Sequence, residues 1–147
     1  MKVRCVAYSD KFSINNSSFE DLKLGHEYTT VGCNSSVFGA SVPGDFVIIT
    51  AKSKGERIAV LGVLVEKVDD CLLWQNRGGK QWKYNFKYQP LTDIFKIEQH
   101  IFDFLDKECI EKDIKSQYFF HSRFCGARYK DVFTNLVRFV NKINDLI

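Results

Sequence analysis

Residues 46–68 hold two apolar runs, FVIITA and RIAVLGVLVEKV, on either side of a charged turn, Lys52–Glu56, that contains Gly55. Runs this rich in Val and Ile, joined by so short a polar link, predict an antiparallel hairpin. Gly62 interrupts the second run, which calls for a bulge or a close approach of backbone at that point. Such a hairpin needs further strands and a covering layer, since two strands alone are only marginally stable in water.

Further strands are at hand. Val3–Tyr8 reads VRCVAY, Glu27–Val31 suits an extended segment, and Cys71–Trp74 reads as another strand. Residues 82–88, WKYNFKY, alternate with a period of two. One face of that strand carries Trp82, Tyr84, Phe86 and Tyr88, and the other carries Lys83, Asn85 and Lys87. The aromatic face is expected to be core for the most part. Pro90 ends the run.

Helical signals fall in three places. Ser17 or Ser18 is placed to cap a short helix through Phe19, Leu22 and Leu24, with Gly25 as its stop. Asn34 or Ser35 is placed to cap one turn across Val37 and Phe38, before the Pro43–Gly44 turn. Beyond Pro90 the period changes: Thr92 or Asp93 suits a cap ahead of Ile94, Ile97, Ile101 and Leu105. From about Tyr129 the residues Val132, Phe133, Leu136, Val137, Phe139, Val140 and Ile143 recur at helical spacing. The chain is therefore expected to be an α+β domain, β-rich over about 1–95 and helical over about 96–147, with no Pro/Gly-rich linker between the two.

At 147 residues, with 45% apolar and 27% charged side chains, the chain is long and apolar enough for a proper core. A formal charge of +3 is too small to diagnose a nucleic-acid partner, though it leaves room for a local basic patch. No apolar run nears the roughly 20 residues needed to span a bilayer, and the N-terminal residues lack the apolar stretch expected of a secretory signal. Cysteines stand at 5, 33, 71, 109 and 125, an odd number with no CxxC pair, which reads as reduced thiols in a cytoplasmic setting.

Catalytic signatures are scarce. There is no GxSxG, the carboxylates are scattered, and Gly78-Gly79-Lys80 lacks the rest of a P-loop. His100, Cys109, His121 and Cys125 carry zinc-type donors, but their spacing fits no compact knuckle. No cofactor and no metal are expected. The tryptophans are more informative. Trp74 and Trp82 flank a polar stretch, Gln75–Gln81, that contains Arg77, Gly78, Gly79 and Lys80. Trp74 ends a strand beside polar residues and suits an exposed stacking platform, worth about 1–3 kcal/mol for a base. Arg77 and Lys80, with the flexible glycine backbone, suit contact with a phosphodiester or an ordinary hairpin loop.

In this order the segments resemble the PUA-like superfamily, its EVE and YTH branches in particular. A short strand ends at Tyr8-Ser9-Asp10, and CNSS at 33–36 opens a short helix. PGDFVIIT and IAVLGVLVE then match the family's Gly-Asp strand and the following strand with its internal glycine. LLW, a flexible loop and WKYNFKYQPL complete the set. The resemblance implies a mixed β-barrel with flanking helices that holds a modified base of RNA or DNA in an aromatic cage. It puts Trp74 in the cage wall, Asn34, Ser35 and Ser36 in the second wall, and Ser9 and Asp10 at the base edge. Trp82 or Tyr84 would complete the cage. The YTH branch writes a tryptophan where this chain has Asn34-Ser35-Ser36, so an EVE-like pocket fits better.

Two other readings use the same residues. The ASCH branch of the superfamily includes hydrolases and nucleases, for which Lys80, Asp10 or His26 would be the reactive groups. A protein-interaction adaptor of viral or phage type would instead work through the helices of residues 98–147.

Overall fold

The computed structural model describes residues 2–10, 17–69, 82–111 and 135–147. In chain order its elements are β1 (Val3–Ser9), α1 (Ser18–Tyr28), β2 (Thr30–Cys33), α2 (Ser36–Gly39), β3 (Phe46–Ser53), β4 (Glu56–Lys67), β5 (Tyr84–Pro90), β6 (Phe95–Lys96), α3 (Gln99–Glu111) and α4 (Leu136–Leu146). The architecture is mixed α+β. Trp74, Arg77 and Lys80, the Cys71–Trp74 strand and the Gly78–Gly79 pair lie outside the described residues. So do His121, Cys125 and the start of the tail pattern at Tyr129, Val132 and Phe133.

The predicted hairpin forms from β3 and β4. Ser53 pairs with Glu56 across the two-residue turn Lys54–Gly55, whose φ angles of 50° and 82° are both left-handed. That is the mirror-type turn whose twist matches the strands it joins, and glycine enters it at no steric cost. β1 adds to β3 in parallel, from Val3 opposite Phe46 to Ser9 opposite Lys52. On the other side β5 adds to β4 and β2 to β5, both antiparallel. The order is β1-β3-β4-β5-β2, with β6 pairing separately with β4. The break in the β4–β5 register falls between Leu64 and Glu66, and Gly62 serves the other purpose. A Cβ there would lie 2.7 Å from the Tyr88 ring and 2.9 Å from the Gln89 carbonyl oxygen, so only glycine lets β5 approach.

The two outer strands meet. Tyr8 of β1 donates its hydroxyl proton to the Gly32 carbonyl of β2 at 2.8 Å and accepts from the Gly32 N–H at 3.1 Å. Five strands at about 4.8 Å spacing would hold the edges of a flat sheet roughly 19 Å apart, beyond any side chain's reach. The sheet is therefore curled into a half-barrel, with one tyrosine bridging its seam.

Both faces of the sheet are covered, which is why β3 and β4 read as nearly continuous apolar runs. On the inner face Val6, Tyr8, Val47, Ile49, Val60, Leu64, Phe86 and Tyr88 pack with Leu22 of α1 and Phe38 of α2. On the outer face Val3, Cys5, Phe46, Ile48, Ala59 and Leu61 pack with Ile101 and Leu105 of α3 and Phe139, Val140 and Ile143 of α4. Two polar contacts also fasten α4: His100 Nε2 lies 2.8 Å from the Leu146 carbonyl oxygen, and Asn144 donates to the Leu91 carbonyl at 3.2 Å. Among the described residues no helix is long and apolar enough to cross a membrane.

Local expectations need correction at four points. Gly25 does not stop α1. It is buried within the helix, which runs on to Tyr28 and ends at Thr29 with φ 52°. An internal glycine costs a helix only about 1 kcal/mol, which tertiary packing overrides. The extended segment accordingly begins at Thr30 rather than Glu27. Thr92 and Asp93 do not cap a helix either. The outer edge of β4 takes Phe95–Lys96 as β6, and the Thr92 hydroxyl accepts from the Leu61 N–H at 3.1 Å. The helix starts only at Gln99. Finally, Asn85 does not share the exposure of Lys83 and Lys87 but is buried at 3% exposure.

Candidate functional site

A buried ion pair positions the second predicted site segment. Arg4 of β1 donates from Nε to Asp45 Oδ2 at 3.2 Å, from Nη1 to the Val37 carbonyl at 3.0 Å and from Nη2 to the Ala40 carbonyl at 3.4 Å. Asp45 also accepts from the Lys2 N–H and the Val42 N–H, both at 3.0 Å. Burial works to raise the Asp45 carboxyl, but these N–H donors and the Arg4 charge outweigh it and hold the group below the usual carboxylate range. The guanidinium thus ties the carbonyl groups of α2 to the first strand. Phe38 of α2 is fully buried, edge-on to Phe86 at 5.2 Å between ring centroids.

Held in this way, the segment before α2 meets the start of β5. Asn34 Oδ1 accepts from the Lys83 N–H at 2.8 Å, and the Ser35 N–H lies 3.4 Å from Cys33 Sγ. Ser35 is the N-cap residue of α2 by backbone position, while Asn34 and Ser36 are exposed. Tyr84 lies flat against the end of α2. A Cβ on Gly39 would sit 2.5–2.7 Å from three atoms of the Tyr84 ring, so glycine is needed for that contact. The ring is half-buried, and two ammonium groups lie near it: Lys67 Nζ at 5.7 Å and Lys83 Nζ at 5.5 Å from the centroid. Among the described residues neither lysine is paired with a carboxylate, whereas Lys87 is paired with Glu66 at 3.4 Å.

Trp82 lies beneath this surface. Its ring packs on Tyr8 at 5.8 Å and against Gly32, where a Cβ would come within 2.5 Å of the indole. Asn85 donates from Nδ2 to the Trp82 carbonyl at 2.7 Å, which fixes the orientation of its amide. Two buried polar atoms here, Trp82 Nε1 and Asn85 Oδ1, have no hydrogen-bond partner among the described residues. A Cβ on Gly32 would lie 2.7 Å from Asn85 Oδ1 as well as against the indole, so both side chains pack on this glycine.

The structure therefore brings together Asn34, Ser35, Ser36, Trp82 and Tyr84. Ser9 and Asp10 are bound up elsewhere. Ser9 is the last residue of β1, half-buried opposite Lys52. Asp10 accepts from the Ser18 N–H at the start of α1 and from the Ser53 hydroxyl at the end of β3, both at 2.8 Å. The Ser18 N–H and then the Ser53 hydroxyl hold its carboxyl below the usual range. His26 Nδ1 lies 3.1 Å from the Tyr88 hydroxyl, which burial pushes above the ordinary tyrosine range. Lys67, Gly39 and Asn85 were not singled out by the sequence. Lys67 falls there near the end of the second hairpin strand, Gly39 between the helical turn across Val37 and Phe38 and the Pro43–Gly44 turn, and Asn85 on the face opposite the aromatic one with Lys83 and Lys87.

Among the described residues no group of three or more His, Cys, Asp and Glu is arranged to hold a metal ion. No family model, no curated protein and no solved structure matches this chain.

Proposed function

We propose that the protein is a non-catalytic nucleic-acid-binding module, PUA-like and of EVE type, that holds a modified base in an aromatic pocket. The observation that carries this reading is the junction of the Asn34–Ser36 segment with the Trp82–Tyr84 segment through the Asn34 Oδ1–Lys83 N bond. It puts a half-exposed aromatic ring, two ammonium groups that have no carboxylate partner among the described residues, and a polar loop on one patch, the combination that stacks a base and meets its phosphates. Trp74 completes the pocket in this reading as the wall before the loop that carries Arg77 and Lys80.

The test is a binding panel of matched RNA and DNA oligonucleotides with and without methylated adenine or cytosine. The expected result is tighter binding of one modified member, lost in Trp74→Ala with the thermal unfolding midpoint retained. Equal binding of all members by wild type and variant would overturn the pocket. A stable protein complex that survives Trp74→Ala but needs residues 98–147 would favour an adaptor instead.

A further inference from the structure

Resting on the nucleic-acid reading, we propose that Tyr84, Lys67 and Lys83 form a subsite for single-stranded nucleic acid, one unpaired base stacking on Tyr84 while the two lysines meet the flanking phosphates. One side of the ring rests on Gly39 and is closed to ligand. The ring can therefore accept one base on its remaining side. A base within a duplex is stacked on both sides and cannot offer itself without leaving the helix. An aromatic ring beside cationic side chains is a sequence-tolerant platform for a single strand, since every base has a π-face.

The two lysines come from different parts of the chain, Lys67 from the end of β4 and Lys83 from the approach to β5. Both are exposed, with their ammonium groups 5.7 and 5.5 Å from the same ring. Two like charges gathered at one ring repel each other, and the repulsion is relieved when each gains a phosphate. Their flexible stems let the ammonium groups leave the ring as the base arrives. Lys87 provides the contrast: it is also exposed and lies on β5 with Tyr84, but it is already engaged by Glu66.

The experiment is a fluorescence anisotropy titration over a salt series, using one mixed-sequence oligonucleotide as a single strand and as a duplex. Each phosphate contact on a single strand contributes about 0.7 to the slope of log K against log salt. The Lys67→Gln/Lys83→Gln double variant is therefore expected to lower that slope by about 1.4. Tyr84→Ala should weaken binding by about 5- to 150-fold, the loss of one stacked base. Lys87→Gln should leave both quantities unchanged, and thermal unfolding of each variant confirms that it is folded. Duplex bound as tightly as single strand, an unaltered slope in the double variant, or an equal fall in Lys87→Gln would overturn the subsite while leaving nucleic-acid binding in place. Failure of the wild-type chain to bind any oligonucleotide would overturn both readings.

Discussion

The Tyr8 hydroxyl and the Gly32 peptide join the two edges of the sheet, the hydroxyl donating to Gly32 O at 2.8 Å and accepting from Gly32 N at 3.1 Å. A strand ladder would close a barrel with many such bonds, but here one side chain satisfies both groups of one edge residue. Tyr8→Phe leaves the buried Gly32 N–H and C=O without that partner. It is expected to cost about 1–3 kcal/mol, read as a lower urea midpoint with an unchanged m-value.

The same hydroxyl makes the fold sensitive to alkali. Burial pushes the Tyr8 group well above the ordinary tyrosine range, against the lowering effect of its bond with Gly32, and burial also raises Tyr88. A group whose folded pKa is raised contributes stability that is whole below its unfolded value, about 10 for tyrosine, and is lost as pH climbs toward the folded value. The urea midpoint should therefore fall above about pH 10. A Tyr8→Phe/Tyr88→Phe variant should start lower and show a flatter decline.

At acid pH the controlling pair is Arg4–Asp45, its side chains 5% and 2% exposed. The Asp45 carboxyl is held below its ordinary range, so its contribution is whole above about pH 4 and is lost as pH falls through the folded value. Asp45→Asn should flatten the urea midpoint below that pH. Arg4→Met leaves a buried carboxylate without its cation and is expected to cost about 3–5 kcal/mol at neutral pH, measured by urea unfolding. The loss should be greatest at α2, because Arg4 also holds the Val37 and Ala40 carbonyls.

Asp10 offers a separate check on the site. Both its carboxylate oxygens are occupied, one by the Ser18 N–H and the other by the Ser53 hydroxyl. Asp10→Ala is expected to speed hydrogen exchange at the start of α1 and lower the thermal midpoint, with oligonucleotide affinity unchanged. A loss of affinity in a variant whose exchange is normal would instead assign Asp10 to the base edge.

What could be read from the sequence was local. The β3–β4 hairpin, the Ser17 cap and the turn across Val37 and Phe38 each depend on residues a few positions apart, and each forms. The Tyr8–Gly32 seam joins residues 24 apart and has no periodic signature. The helical spacing of Ile94, Ile97, Ile101 and Leu105 is real for its last two members, which lie on α3. The earlier part was overridden because the edge of β4 at Ile58 and Ala59 had backbone groups to satisfy, and Phe95–Lys96 supplies them. Alternation likewise placed Asn85 with Lys83 and Lys87. It could not show that β2 lays Gly32 directly opposite Asn85, nor that the Trp82 ring packs over that pair.

Gly39 allows Tyr84 to be tested without altering Tyr84. The Cβ introduced by Gly39→Ala would come within 2.5–2.7 Å of the ring, closer than real contacts allow, so the ring must lift away from α2. Such overpacking typically costs about 1–3 kcal/mol, which leaves the chain folded if its total stability is ordinary. The displaced ring would no longer lie where Lys67 and Lys83 can serve the same strand. Gly39→Ala is therefore expected to weaken single-strand binding by up to the roughly 1–3 kcal/mol of one stacked base, with the salt slope reduced as well. Anisotropy titration alongside urea unfolding separates the two effects. Wild-type affinity in a destabilised Gly39→Ala protein would mean that the ring's seat on α2 does not matter to the ligand.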